Sequence, residues 1–211
     1  MSDPESPTTP AYRIETPRLV IRCWNPADAP LLSQSVSESI EHLKPWMPWA
    51  HNEPTPLQTR IDRLRLWRSK FDLDQDYSYA IFNPEETRVL GGTGLHARVG
   101  PDATEIGYWI HVDFAGQGLA TETSAALVRV VFEVLKLKRV EIRCAPANVR
   151  SAAVPRKLGF THEATLARRI PHHTGILRDV MVWSLFEDQY PNSPAARAEV
   201  AAYDAAGRKI L

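Results

Sequence analysis

Cysteine is nearly absent from this chain. Cys23 and Cys144 are the only two in 211 residues, far apart and outside any C-x-x-C spacing, which excludes a disulfide framework and a cysteine zinc site. Two reduced, mostly buried thiols are expected. Net charge is absent too, since 25 Lys and Arg balance 25 Asp and Glu, so no overall field draws the chain to nucleic acid or to an anionic membrane. No apolar run approaches the roughly 20 residues that span a bilayer. The polar, proline-containing N-terminus has no basic-then-apolar targeting pattern, which leaves the cytoplasm as the default address. Internal repeats and long low-complexity tracts are missing. So is G-x-x-x-x-G-K-[ST], and Gly92-Thr93-Gly94 has no third glycine at dinucleotide spacing, which argues against an ATP loop and a Rossmann site. The seven histidines, among them His96, His111 and the pair His172-His173, show no H-E-x-x-H or other firm metal spacing. Surface or core roles are expected for them, and no metal.

What is present is an ordinary globular composition, 44% hydrophobic and 24% charged, in a length that suits one domain. Pro4, Pro7 and Pro10 among polar residues make 1–12 a flexible tail. The domain is expected over 13–190, and the Ala-rich stretch within 191–211 suits a short peripheral helix or tail. Strands are expected at 18–24, 77–82, 88–96, 104–110, 139–145, 160–170 and 179–185, from β-branched and aromatic runs bounded by turn residues. Helical spacing marks 26–43, 57–73, 121–137 and 149–158, the last ending at Gly159. Strands grouped before and after a central helix give an α/β domain.

After the run Ile106-Gly107-Tyr108-Trp109-Ile110, the segment Ala115-Gly116-Gln117-Gly118-Leu119-Ala120 opens a helix. Two glycines let backbone approach a ligand closely, and the free N–H groups of a helix start favour an anion. A lone G-x-G is weak evidence for phosphate. Here it stands in order with Glu105-Ile106-Gly107-Tyr108-Trp109-Ile110, with Thr121-Glu122, and with Asn148-Val149-Arg150-Ser151 followed by Lys157-Leu158-Gly159-Phe160. This series resembles the GNAT acetyltransferase superfamily, and within it the branch that acetylates serine and alanine N-termini of ribosomal proteins. The resemblance covers about 16–185, including the opening Thr16-Pro17-Arg18-Leu19.

The resemblance implies a single domain with a twisted, mixed, mostly antiparallel sheet, splayed at the cofactor site and flanked by helices. Acetyl-CoA is the implied co-substrate. Its pantetheine would pair with the edge at Tyr108, Trp109, Ile110 and Val112, and its diphosphate would sit over Ala115, Gly116, Gln117, Gly118, Leu119, Ala120 and Thr121. Asn148, a good N-cap in its own right, and Ser151 would approach the pantetheine. The family usually opens its loop with Gln or Arg where Ala115 stands, so weaker but retained binding is expected.

Acyl transfer to an amine needs a base for the nitrogen and a proton for the departing thiolate. The resemblance assigns the base to Glu105, although strand alternation leaves open which face that residue occupies. Many family members carry a tyrosine acid where this chain has Pro155, so Ser151 is the implied proton donor. Pro155 has no N–H, and the carbonyl of Ser151 should lose its helical partner. On the acceptor side, the proline-broken segment His42-Leu43-Lys44-Pro45-Trp46-Met47-Pro48-Trp49 offers Trp46 and Trp49 as an apolar wall, with core packing under a long loop as the alternative. The expected activity is N-acetyl transfer to a primary amine, foremost the α-amine of a protein, peptide or aminoacyl compound, by a monomer or homodimer. Detoxification of an antibiotic or toxin, and acyl-CoA sensing without turnover, stand as alternatives.

Overall fold

Alternate positions of the central strands feed two separate cores, and that division builds the molecule. In β2 (Val20–Cys23) and β3 (Tyr77–Phe82), Ile21, Tyr79 and Ile81 join one apolar cluster while Val20, Ala80 and Phe82 join another, as a sheet with both faces covered requires. The computed structural model describes residues 10–172 and 174–211. Among them, nine strands form one sheet, ordered β7-β8-β6-β5-β4-β3-β2-β1-β9. The remaining strands are β1 (Arg13–Glu15), β4 (Val89–His96), β5 (Ala103–Ile110), β6 (Arg139–Cys144), β7 (Thr161–Pro171), β8 (Leu177–Phe186) and β9 (Ala201–Tyr203). Helix α1 (Ala29–Leu43) and most of α2 (Leu57–Asp72) pack on the face of Trp24 and Phe82, while α3 (Leu119–Arg129) and α4 (Val149–Lys157) pack on the opposite face with Ile106 and Ile142.

Every neighbouring pair is antiparallel except β5 and β6. These two are parallel and share only the positions Ala103↔Arg139, Thr104↔Val140 and Glu105↔Glu141. Beyond Glu105 they part. Strand β5 stays with β4 as far as Ile110, and β6 stays with β8 as far as Cys144, so the edge of β5 from Ile106 onward is free of β6.

The ends differ from expectation. Of the tail expected over 1–12, residues 1–9 lie outside the described residues. Ala11 is fully buried and accepts a hydrogen bond from the Tyr79 hydroxyl at 2.9 Å, and the Tyr12 N–H donates to Tyr203 O at 2.8 Å. The expected C-terminal helix is not formed. The chain makes short 3-10 turns at Tyr190–Asn192 and Pro194–Arg197 and then adds β9 beside β1. Proline at 191 and 194 favours such turns, and the fully buried Ala202 gains a backbone ladder on both sides, from Ile14 and from Leu211. Pairing has overridden the helix propensity of alanine. The helix expected to open near Leu119, with apolar spacing over 121–137, does begin at Leu119, and it closes in a π-helical turn, Val130–Val134.

The connector from α1 to α2 is irregular, as its prolines require, and a buried ion pair helps to hold it. Glu53 and Arg60 side chains are 1% and 3% exposed, with Nη2 to Oε2 at 2.6 Å, and the same oxygen accepts from the N–H of Thr55 at 2.9 Å. Removing Arg60 leaves the buried Glu53 carboxylate only the longer pair with Arg63, at 3.9 Å. Arg60→Met is expected to lower unfolding free energy by about 3–5 kcal/mol in urea titrations, and Glu53→Gln/Arg60→Met should recover part of that loss.

Candidate functional site

The turn after β5 is built for an open backbone. Gly116 and Gly118 have φ of +80° and +85°, and a Cβ at Gly116 would meet nothing within 4 Å. Gly118 is the N-cap of α3 and supplies no side-chain cap, so the first N–H groups of the helix have no intrahelical acceptor and face outward. Ala115 and Gln117 complete the loop, with Gln117 Nε2 donating to Asp113 O at 2.8 Å. Sequence reasoning missed one cation here. Arg18 donates through Nη1 to Gln117 O at 3.1 Å and through Nε to Glu122 Oε2 at 2.6 Å, while Thr16 Oγ1 donates to Glu122 Oε1 at 2.6 Å. The strap 16–18 is thus pinned to the start of α3, a contact between residues 104 apart in sequence that no local pattern reports.

Tyr108 and Ser151 meet on the side of the gap that faces α3 and α4. Asn148 caps α4, accepting from the Ser151 N–H at 3.2 Å. Pro155 inside α4 deprives Ser151 O of its helical donor, as expected, and the Tyr108 hydroxyl supplies one instead at 3.2 Å. The same hydroxyl lies 3.0 Å from Ser151 Oγ. Burial pushes the Tyr108 phenol well above its ordinary value, against a smaller opposing effect of Ser151. Cys144, at the end of β6, is also raised by burial, with Ser151 again opposing.

Glu105 lies on the other face of β5. Ile106, Tyr108 and Ile110 belong to the α3–α4 core and Trp109 to the α1–α2 core, so alternation sets Glu105, Gly107 and Trp109 together. Glu105 is 7% exposed, and both its oxygens accept from Arg98, Nε to Oε2 at 2.9 Å and Nη2 to Oε1 at 2.6 Å. The expected base therefore sits in a two-pronged ion pair that the sequence did not suggest. Trp49 packs edge-on against Trp109 with ring centroids 6.0 Å apart, and Trp46 is half-buried on the same connector. Arg178 of β8 donates to Pro45 O at 2.8 Å and ties the connector to the far half of the sheet. The structure thus separates the expected residues into a loop-and-edge group on one side of β5 and a Glu105–Trp49 group on the other.

Residues 18–161 match the family described as Acetyltransferase (GNAT) domain. The chain belongs to that family. This acetyltransferase is 30% identical over 175 residues to the Bacillus subtilis protein YdaF, provisionally named a ribosomal N-acetyltransferase, covering 82% of this chain and 93% of the relative. It is 28% identical over 159 residues to the Escherichia coli [ribosomal protein uS5]-alanine N-acetyltransferase, covering 73% and 80% of the two chains. Mycobacterium smegmatis RimJ, solved in complex with CoA-disulfide, shares the fold with a TM-score of 0.76 at 24% identity, over 90% of this chain and 93% of that one.

A second polar cluster holds the acetyltransferase loop in place. His111, fully buried, accepts at Nδ1 from the Asp113 N–H at 3.1 Å, so Nε2 carries the proton that meets Glu38 Oε2 at 2.8 Å. Ser39 Oγ accepts from the Val112 N–H at 3.1 Å. Helix α1 is therefore bonded to the residues entering the loop. Glu38, His111 and Asp113 bring ligand-type atoms within 4.8 Å of one another, and Arg88 reaches both carboxylates, at 3.5 and 3.0 Å, as their cation.

The raised phenol of Tyr108 has a signed consequence. A group whose pKa rises on folding stabilises the fold fully below its unfolded value, about 10 for tyrosine, and progressively less above it. Unfolding free energy measured between about pH 8 and 11 should fall more steeply in the wild type than in Tyr108→Phe, the difference opening above pH ~10.

Proposed function

We propose that this acetyltransferase moves the acetyl group of acetyl-CoA directly to the α-amine of a protein or peptide N-terminus. The observation that carries the reading is the free edge of β5 beyond Glu105, which runs to the open N–H groups of α3 on one side and borders a separate, tryptophan-walled face on the other. When bound, acetyl-CoA supplies an acyl carbon activated by a sulfur leaving group. The residues fit that partner. The loop 115–121 offers backbone donors at glycine positions that leave room, and Tyr108, Trp109 and Ile110 lie on the stretch of β5 that pairs with β4 alone; Val112, expected on the same edge, instead opens a 3-10 turn with its N–H held by Ser39 Oγ and its carbonyl by the Ala115 N–H. Asn148 orients Ser151 at the start of α4. Ser151, with Tyr108 behind it, holds a proton for the leaving sulfur.

Direct transfer is supported by the two thiols, since burial raises both Cys23 and Cys144 away from the nucleophilic thiolate. An α-amine is supported by energetics. Its pKa of about 7.7–8.0, against about 10.4 for lysine, asks little of a base near neutrality. A protein acceptor is supported by relatives named for ribosomal-protein N-acetylation. Trp46 and Trp49 would flank the acceptor, leaving its amine to reach the Glu105 side of the gap.

A thiol-release screen with acetyl-CoA tests the reading, using peptides with free and blocked N-termini, free amino acids and amine antibiotics. Turnover is expected for free-amine peptides and not for blocked ones. Turnover of antibiotics alone would replace the proposal with detoxification, and acetyl-CoA binding without thiol release would make the chain a sensor. Gly118→Asp, which puts a carboxylate at the helix start, should weaken acetyl-CoA binding about tenfold by calorimetry. Ser151→Ala should lower kcat by about 10²-fold. Trp46→Ala should raise the acceptor KM and leave that of acetyl-CoA unchanged, because it removes ground-state binding of one substrate only.

A further inference from the structure

On the Glu105 face, β4 and β5 present a floor of glycine. Gly94 stands directly opposite Gly107, and His96 directly opposite Glu105, and opposite residues in an antiparallel pair share a face. The His96 ring folds back over this floor. A Cβ at Gly94 would lie 2.7 Å from its Cε1 and 2.8 Å from its Nε2, and a Cβ at Gly107 would lie 3.2 Å from Nε2. Any side chain at Gly94 would displace the ring.

His96 is also oriented. Its Nδ1 lies 2.8 Å from Asp76 Oδ1, which favours the tautomer with the proton on Nδ1 and leaves the Nε2 lone pair free to accept. Asp76 is held below its ordinary value: burial alone would raise it, and its hydrogen bonds to His96 and Ser78 with the charge of Arg98 act the other way. The accepting nitrogen thus stands over Gly107, two residues past the last position that β5 shares with β6. The His96 side chain is 23% exposed, so an entering amine can reach it. Glu105, beside it, already has a donor on each oxygen.

We propose that His96, oriented by Asp76, is the base that takes the proton from the acceptor nitrogen, with Glu105 a positioning residue that fixes Arg98 in the β4–β5 turn. This inference rests on the acyl-transfer reading above. The nitrogen lone pair forms the C–N bond to the acyl carbon and the C–S bond breaks with its electron pair on sulfur. The nitrogen proton passes to His96 Nε2, and sulfur takes a proton from Ser151 Oγ. The imidazolium returns its proton to Ser151 through solvent, so protons balance over one turnover. The charged groups placed around His96 are Asp76 ahead of β3, Arg98 in the β4–β5 turn and Glu105 on β5, with Arg143 of β6 behind at 3.9 Å from Glu105.

The test is kcat and kcat/KM against pH with acetyl-CoA and one free-amine peptide, in the wild type, His96→Gln, Asp76→Asn and Glu105→Gln. The titration of the peptide amine is common to all four and cancels in the comparison. His96→Gln is expected to lower kcat by about 10²-fold and abolish an acidic limb that the wild type shows. Asp76→Asn should lower kcat, because the imidazole loses the partner that fixes its tautomer, while Glu105→Gln keeps the limb. Added imidazole should restore part of the turnover of His96→Ala, a gain that a misfolded variant cannot give. A His96→Gln protein with turnover within about threefold of wild type and an unchanged limb, or a limb lost in Glu105→Gln and kept in His96→Gln, overturns the assignment. A wild type that releases no thiol with any amine overturns the acyl-transfer reading itself.

Discussion

Strands β5 and β6 share three positions and then separate, and the placement of every functional group follows from that parting. They form the one parallel pair in the described sheet, and each leads at its C-terminal end toward a helix, β5 to α3 and β6 to α4. Two helix starts therefore converge on the mouth of one gap, the position at which open sheets offer ligands both backbone donors and positive dipole ends. The parting also sets a cost at its apex. Glu105 and Glu141 are register partners, and like charges directly opposite destabilise a sheet. Arg98, Arg139 and Arg143 surround the pair, with Arg139 and Arg143 reaching Glu141 at 3.1 and 2.8 Å.

Alternation along β5 lets a single strand serve two partners. Tyr108 points to the side of Ser151 and Cys144, and Gly107 and Trp109 to the side of His96 and Trp49. The free backbone between them belongs to neither face. A thioester lying along that edge and an amine arriving over the glycine floor would approach from opposite directions without competing for side chains.

Much of this was legible in the sequence because it is local. The β-rich run 77–82 coincides with β3, and the helices ending at Leu43 and opening at Leu57 or Val149 follow from proline, N-cap and apolar spacing. The open loop at Gly116 and Gly118 was readable because glycine at positive φ leaves a residue-type signature, and the orphaned Ser151 carbonyl because proline lacks a donor. What escaped depends on contacts distant in sequence. Nothing near Ala201 announces β1, nothing near Arg18 announces Glu122, and neither Asp76 nor Arg98 carries a mark of the side chain it will grip. The histidine over the glycine floor carries no metal spacing to mark it, and His96 and the glycines at 94 and 107 have meaning only once β4 and β5 are laid side by side.

The proline in α4 ties together two positions that sequence comparison would score separately. With proline at 155, the oxygen of Ser151 is vacant and a hydroxyl at 108 has a place to bond. A residue with an N–H at 155 would fill that vacancy from within the helix, and the tyrosine at 108 would face an acceptor already taken. The side chain at 108 and the residue at 155 thus act on the same carbonyl. Changing either one alone leaves half of that hydrogen-bonding arrangement in place, so the effect of a substitution at 108 depends on the residue at 155.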